Sequence, residues 1–331
     1  MCKIISVLFE SRFLKMSNFF PRCLLLLLCL LPACRRVPDR IEPTLSYAVQ
    51  DRYLKALPAP FPPLSIAEKR EGWGQEYFIG ITLARELDLY SAITAFRRAR
   101  ILLGDADPKR QKEIDYEIFL CYYIGRKYAD AIDTFEQSPL KNIDPQFPAC
   151  HDLLLLLHDS YLQEGDTTQA WRVLSLIQQL YPEEARSIGI ADALVRADFP
   201  QIEVAANNPP TPYLQTLLTD YREQKKSVGQ AQLLNTFLPG TGYLYLGQTQ
   251  SAVTAFLLNG LFIAAAVHFF VHDHLAAGII CTSFEMGWYF GGIFGAGLEA
   301  KYHNERLYER LATPVMHEQR LFPVLQLNYA F

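Results

Sequence analysis

The sequence predicts an all-α protein: a helical repeat solenoid followed by a transmembrane helical hairpin. Two observations predict it. Ala92, Ala131 and Ala170 stand at a constant interval of 39 residues, and each is followed four residues later by a large apolar side chain, Phe96, Phe135 or Leu174. Self-similarity at such a period marks stacked helical hairpins, which bury a core only by packing on their neighbours. Further on, the chain runs from Ser227 to His272 without one Asp, Glu, Lys or Arg. Soluble domains of ordinary composition seldom hold so long an uncharged run. The 331 residues leave room for two or three folded units. A net charge of −4 and a pI near 6.0 give no electrostatic case for nucleic acid.

Residues 1–34 read as an address. Counting from Met16 (the start is either Met1 or Met16), Arg22 precedes a short apolar run from Cys23, and Ala33 comes just before Cys34. A positive charge, an apolar core too short to span a bilayer and a small residue at the break make the secretory pattern. Leu31-Pro32-Ala33-Cys34 resembles the bacterial lipobox. The resemblance implies lipidation of Cys34, although Pro32 departs from the commonest form of the box. The alternative is an ordinary signal or an uncleaved anchor with a chance cysteine. Residues 35–72 hold Pro38, Pro43, Pro58, Pro60, Pro62 and Pro63. They predict a Pro-rich tether with one helix near residues 44–57. The seven cysteines form no CxxC pair and no zinc spacing.

Residues 73–200 predict paired helices. First helices are expected near 76–86, 113–124 and 150–163, each followed by a turn and a second helix carrying the Ala-x₃-large motif. The motif continues to Ala99 in the first copy, and a further helix near 185–197 caps the stack. This pattern resembles the tetratricopeptide repeat. Gly80 falls on its small first-helix position, Tyr122 and Tyr161 on its aromatic position, and Pro182 on its terminal proline. The period exceeds the family's usual length of about 34 residues, and Phe119 sits where the second copy should have a small residue. The resemblance implies a non-enzymatic surface that takes an extended peptide or helix from an envelope protein. Glu76, Asp115, Asn142 and His151 are its candidate polar lining residues.

Residues 201–228 form a linker and an amphipathic helix. Residues 229–312 predict a membrane hairpin domain: two apolar helices near 252–271 and 275–298, joined by His272-Asp273-His274. At ~1.5 Å per residue, about twenty residues cross a ~30 Å hydrocarbon core. Pro239-Gly240-x-Gly242-x-x-Tyr245-x-Gly247 resembles the opening of small bacterial membrane domains of the TM2-like kind. That likeness implies location more than activity. Gly287, Gly291 and Gly295 form two GxxxG steps on one face of the second helix, where a helix of the same chain or of a second copy could approach closely. Glu285 lies inside that helix, and Asn259 across the hairpin is its expected hydrogen-bond partner. An acid at such depth is expensive and must face protein, be protonated or pair. Residues 313–331 form a tail whose alternation of Leu325, Leu327, Tyr329 and Phe331 predicts a short strand or a docking peptide.

The chain holds no G-x-S-x-G, Walker loop or HExxH, so no catalytic residue, metal or cofactor is expected. The expected function is a membrane-anchored scaffold in the bacterial cell envelope, with its repeats on the periplasmic side. Its partners are an envelope protein, the lipid bilayer and a second copy of the chain. The alternative is a transport or channel component built on Glu285 and the glycine face. A metal site at His268 and His272 is the third reading.

Overall fold

The computed structural model describes residues 36–45, 51–142 and 144–331. The leader with Cys34 lies outside the described residues. Among the described residues the structure is helical throughout, without a strand. The chain divides into two compact units. One comprises Thr44–Leu217 with Leu311–Phe331; the other takes the chain before Thr44 and Leu218–Arg310.

The first unit begins with a short helix, α1 (Asp51–Ala56), and continues as paired helices: α2 (Gly72–Arg85) with α3 (Leu89–Leu103), α4 (Pro108–Ile124) with α5 (Tyr128–Gln137), α6 (Cys150–Gln163) with α7 (Thr167–Leu180), and α8 (Pro182–Val195) with α9 (Phe199–Asn207). Each of these packs against the helices before and after it. One turn joins every pair. Its left-handed residue is Leu87, Arg126, Gly165 or Ala197. The next residue's N–H reaches five residues back, as in Asp88 N to Leu83 O at 3.0 Å and Asp166 N to Tyr161 O at 2.9 Å. This is the Schellman arrangement, which satisfies the last carbonyls of the first helix. Asp88, Asp166 and Asp198 then cap the second helices by accepting the N–H of Ser91, Gln169 and Gln201. The expected cap near 185–197 is thus the first helix of a fourth pair. Pro182 occupies its first turn, where a missing N–H costs nothing.

Ala92, Ala131 and Ala170 are fully buried, with Ala99 and Phe96. A Cβ on Gly80 would lie 2.6 Å from the Phe96 ring, so glycine lets α2 close on α3. Phe135 is partly buried and Leu174 almost wholly so. Tyr122 accepts from Arg97 Nη2 at 2.8 Å, and Tyr161 donates to Glu136 Oε1 at 2.9 Å. Both bonds span 25 positions, so equivalent tyrosines tie each first helix to the preceding second helix. His158 instead ties its helix forward: Nδ1 meets Ala170 O at 2.9 Å on the second helix of the same pair, and Nε2 meets Asp192 at 3.0 Å on the first helix of the next.

The second unit contains α11 (Val228–Phe237), α12 (Thr241–Tyr245), α13 (Thr249–Val271) and most of α14 (Leu275–Glu318); α10 (Pro212–Gln224) precedes them. The Pro-Gly-x-Gly element forms a tight elbow. Asn235, almost fully buried, accepts the N–H of Gly240 at 2.8 Å and of Gly242 at 3.3 Å. Gly240 has φ 98°, and a Cβ there would run into Ala252 O. At Gly242 it would meet Ala231 O and, at 2.9 Å, the Ala296 side chain. Tyr245 accepts from Ser227 N, and its ring lies 4.9 Å from Lys226 Nζ. Asn304 clasps the Lys226 backbone with two 2.8 Å bonds.

Two boundaries differ from the sequence reading. Within the stretch read as a Pro-rich tether, several described side chains are buried. Val37 packs with Val228, Ala231 and Ala300 in the second unit, while Leu54, Phe61 and Leu64 join the core of the first. Apolar side chains set between the prolines supply the burial that a tether would lack. The second apolar helix also does not stop near residue 298 but runs 44 residues to Glu318. Among the described residues, α13 is the one helix long and apolar enough to cross a membrane.

Candidate functional site

The tail is the first unit's most specific ligand-like feature. It forms no strand. A 3₁₀ turn at Pro323–Gln326 sets Val324 and Leu327 inward, and an irregular stretch with a bend at Asn328 follows to Phe331. Two tail N–H groups that a sheet would use go to a side chain instead. Asp152, fully buried at the start of α6, accepts Asn328 N at 3.0 Å and Tyr329 N at 2.9 Å through Oδ2. Its Oδ1 accepts Asn328 Nδ2 at 3.1 Å. Arg85, at the end of α2, donates Nε to Phe331 O at 3.0 Å. Tyr53 of α1 donates to Leu325 O at 2.9 Å, and Ala330 N donates to Pro58 O at 3.0 Å. Val324, Leu327 and Phe331 complete the core formed by the first helices and the 54–64 segment.

These bonds read backbone rather than side chain. Successive N–H groups of an extended chain point to opposite sides, so these two converge on Asp152 Oδ2 because the chain bends at Asn328, and charge assistance strengthens both bonds. Of the four expected lining residues, His151 alone meets the tail, at 3.0 Å from Asn328 Nδ2. Glu76 is tied to Arg98 and Asp115 to Arg100, while the Asn142 carbonyl accepts from Lys112. Asp152, Arg85 and Tyr53 were missed. The available signal was Asp152 itself, a carboxylate opening the apolar run Leu153–Leu157.

One face of α4 is acidic. Glu113, Tyr116 and Glu117 occupy positions i, i+3 and i+4 of α4 and share one side. Tyr116 packs edge-on against Phe61 with ring centroids 5.5 Å apart. Glu113 Oε2 is held by Arg110, which also binds Glu68 at 2.8 Å. Both Glu117 oxygens, Glu113 Oε1, the Tyr116 hydroxyl and His151 Nε2 are buried with no hydrogen-bond partner among the described residues. Burial, reinforced by Glu113, drives the Glu117 carboxyl well above the usual carboxylate range, with Arg85 opposing. Burial likewise raises Glu113. No known family, curated protein or solved structure matches this chain. The functional reading therefore rests on this geometry.

In the second unit, Phe256, Leu257, Leu261, Val267 and Val271 of α13 and Ile280, Phe284 and Trp288 of α14 are exposed. The two helices touch where Phe262 stacks with Phe284 and Phe270 covers Gly278. The expected bond between Asn259 and Glu285 does not form. Asn259 Nδ2 turns to Ala255 O at 2.6 Å, the carbonyl one turn back on its own helix. Glu285 is buried, and its oxygens have no partner among the described residues. Of the three glycines, Gly295 approaches a neighbour, Tyr243 Oη, while Gly287 and Gly291 border open space. His268 and His272 have ring centroids 4.2 Å apart, but His272 Nδ1 is engaged by His268 O at 2.8 Å. No three metal-ligating side chains gather among the described residues.

Proposed function

We propose that this protein is a non-enzymatic, membrane-anchored adaptor of the bacterial envelope, whose tetratricopeptide-like repeats hold an extended peptide from a protein partner. The observation that carries this reading is the tail itself. An eleven-residue segment, a 3₁₀ turn followed by a bend at Asn328, lies on the first-helix face, fixed through its backbone by Asp152, Arg85 and Tyr53. A surface that reads backbone in this way takes other segments of the same backbone shape by the same bonds. The exposed apolar residues of α13 and α14 support a transmembrane hairpin, and the leader ending at Cys34 supports export, lipidation and a periplasmic setting for the repeats. The test adds a labelled peptide of residues 321–331 to a full chain whose own tail is loosened by Leu327→Asp with Asn328→Pro. Saturable binding that Asp152→Ala abolishes is the expected result. A loosened, folded chain that ignores the peptide would overturn the reading.

A second reading, a transport or channel component, is favoured by Glu285, an acid within an apolar helix whose oxygens lack partners. Glu285→Gln separates the two: lost ion or solute flux with intact assembly supports transport, and unchanged peptide capture without any flux phenotype supports the adaptor.

A further inference from the structure

In the second unit α11 and α14 run side by side in opposite directions, and their contacts fix a common depth. Asn304 clasps Lys226, and Ala300 packs with Val228 and Ala231. A Cβ on Gly297 would lie 2.6 Å from Gln232 Cγ, and Tyr289 donates its hydroxyl to Thr236 O. Glu299 is the first charge beyond the apolar part of α14, residues 275–298, which holds Glu285 alone. Ten residues separate Glu299 from Tyr289 along the helix. At ~1.5 Å per residue the end of α11 therefore lies about half-way into a ~30 Å hydrocarbon core. The chain then turns back through α12. Tyr245 accepts from Ser227 N at 3.1 Å, and Gln248 donates to Glu299 Oε2 at 2.8 Å. Entry and exit are thus at one level, and no residue from Ser227 to Gln248 is charged.

Two further observations bear on what covers this element. Its outer side is apolar: Leu233, Leu234, Phe237, Leu238 and Leu244 are exposed, and Phe237, at the tip, is 81% exposed. Its irregular backbone is also satisfied from within. Leu238 N reaches Leu234 O, Thr241 N reaches Leu238 O, and Gly240 N and Gly242 N reach Asn235 Oδ1. Pro239 has no N–H to satisfy. At membrane depth, where water cannot supply partners, irregular backbone persists only when the protein closes these bonds itself.

We propose that α11, the Pro239–Gly242 elbow and α12 form a re-entrant half-membrane hairpin, its outer side covered by the acyl chains of one leaflet. This extends the transmembrane reading of α13 and α14 and rests on it. A full crossing by α11 is excluded by its ten residues, about 15 Å of helix. A second copy is the weaker occupant. Lys225 and Lys226 stand where the element enters, and a second copy would bring its own lysines to that level, whereas a leaflet brings phosphates.

The experiment places the full chain in phosphatidylcholine vesicles whose acyl chains carry bromine near the headgroup or near the chain end. Bromine quenches tryptophan on contact. Probes at Phe237→Trp and Leu261→Trp are read in a Trp288→Phe background, where Trp73 and Trp171 of the repeat unit give a constant signal. Chain-end bromine is expected to quench Phe237→Trp about two-fold more than headgroup bromine does, as at Leu261→Trp in mid-helix. Lys226→Cys with Tyr245→Cys should be bridged within one chain by a short bismaleimide, read by mass spectrometry of the joined peptides. If Leu261→Trp is quenched and Phe237→Trp is not, water or a second copy covers the tip; the inference falls and the transmembrane reading stands. Deep quenching at Phe237→Trp without the bridge also overturns it, because entry and exit would lie at different levels. If Leu261→Trp escapes both bromines, the transmembrane reading fails and takes the inference with it. Leu233→Trp, one turn earlier on the exposed side, replaces Phe237→Trp should that variant misfold.

Discussion

The two units differ in what their helices bury and expose. In the repeat unit Phe96, Tyr116, Phe119, Leu153 and Leu156 are hidden. In the C-terminal unit the hidden residues include Asn235, Asn259, Asn304, Gly242, Ala252, Ala296 and Ala300, while Leu257, Leu261, Ile280 and Trp288 face outward. The backbone devices are shared. A left-handed residue at Gly247 and at Asp273 closes α12 and α13 with the same five-residue-back bond seen at Asp88 and Asp166. Side chains alone therefore set which solvent each unit suits. In water, hiding large apolar groups drives folding. Among lipid tails, which are as apolar as leucine, small residues and internal hydrogen bonds draw helices together.

Glycine substitutions break this comparison hardest. Gly242→Val drives a side chain into Ala231 O and the Ala296 side chain, neither of which can swing away. Gly80→Val meets an aromatic ring, Phe96, which has some freedom to tilt. Both should cost about 3 kcal/mol or more, with Gly242 the worse. Urea titration followed by circular dichroism, in detergent, measures each. If Gly242→Val is tolerated as well as an exposed substitution, the elbow is not what organises the C-terminal unit.

The solvent assignment is tested by two equally exposed apolar residues. Leu261 is 65% exposed in the middle of α13, and Ile101 is 78% exposed on α3. Leu261→Lys should cost membrane insertion about 3 kcal/mol, the value for a lysine near a helix centre, and release the chain from the carbonate-resistant membrane fraction. Ile101→Lys should change nothing beyond about 0.5 kcal/mol. Equal tolerance at both sites would erase the contrast between the units.

Asp152→Ala strands the N–H groups of Asn328 and Tyr329 and should weaken tail docking by about 2–3 kcal/mol. Hydrogen exchange reads this directly. The two amides should exchange about a hundred-fold faster, while the α4 amides keep their protection. Protection lost across all the paired helices would mean that the tail is part of the unit's foundation rather than a ligand on it.

The paired helices of the first unit were legible because their signals are local. The Ala-x₃-large motif and the inter-helix turns place α2 to α7 within a few residues, and the glycine elbow at Pro239–Gly242 was visible as a motif before its packing was known. The tail's receptor was not legible. Asp152 meets Asn328 across 176 positions, and no periodicity links an acid at a helix start to an extended segment so far away. The alternation of Leu325, Leu327, Tyr329 and Phe331 suggested a strand because the sequence cannot show that a side-chain carboxylate would outbid a backbone partner for those N–H groups. The fourth helix pair was read as a single cap because α9 lacks the repeat's Ala-x₃-large motif.

Glu117 gives a smaller effect with a definite sign. Its raised pKa means that the folded state holds the proton more tightly than the unfolded state. The associated stability is complete below the ordinary glutamate pKa of about 4.3 and is lost as pH rises toward the folded value. Glu117→Gln keeps a neutral side chain at every pH. It should match the native chain near pH 4 and exceed it at pH 8. The groups around it are Glu113, Arg85, Tyr77 and Cys121. An unchanged pH slope would mean that another of these supplies the titration.

The smallest effect separates three glycines of one helix. A Cβ on Gly295 would lie 2.5 Å from Tyr243 Oη, whereas Gly287 and Gly291 have nothing within 4 Å. Within one chain, Gly295→Ala should therefore destabilise, and Gly287→Ala should stabilise by about 0.5–1 kcal/mol, the helix preference of alanine over glycine. The sequence assigned all three to helix packing, so the sign at Gly287 is informative. If Gly287→Ala stabilises the fold and also removes a cross-linked dimer in detergent, its open face belongs to a second copy of the chain. If it stabilises the fold and leaves association unchanged, the glycine is not a contact, and the unpartnered side of α14 reaches further round the helix than the GxxxG spacing implies.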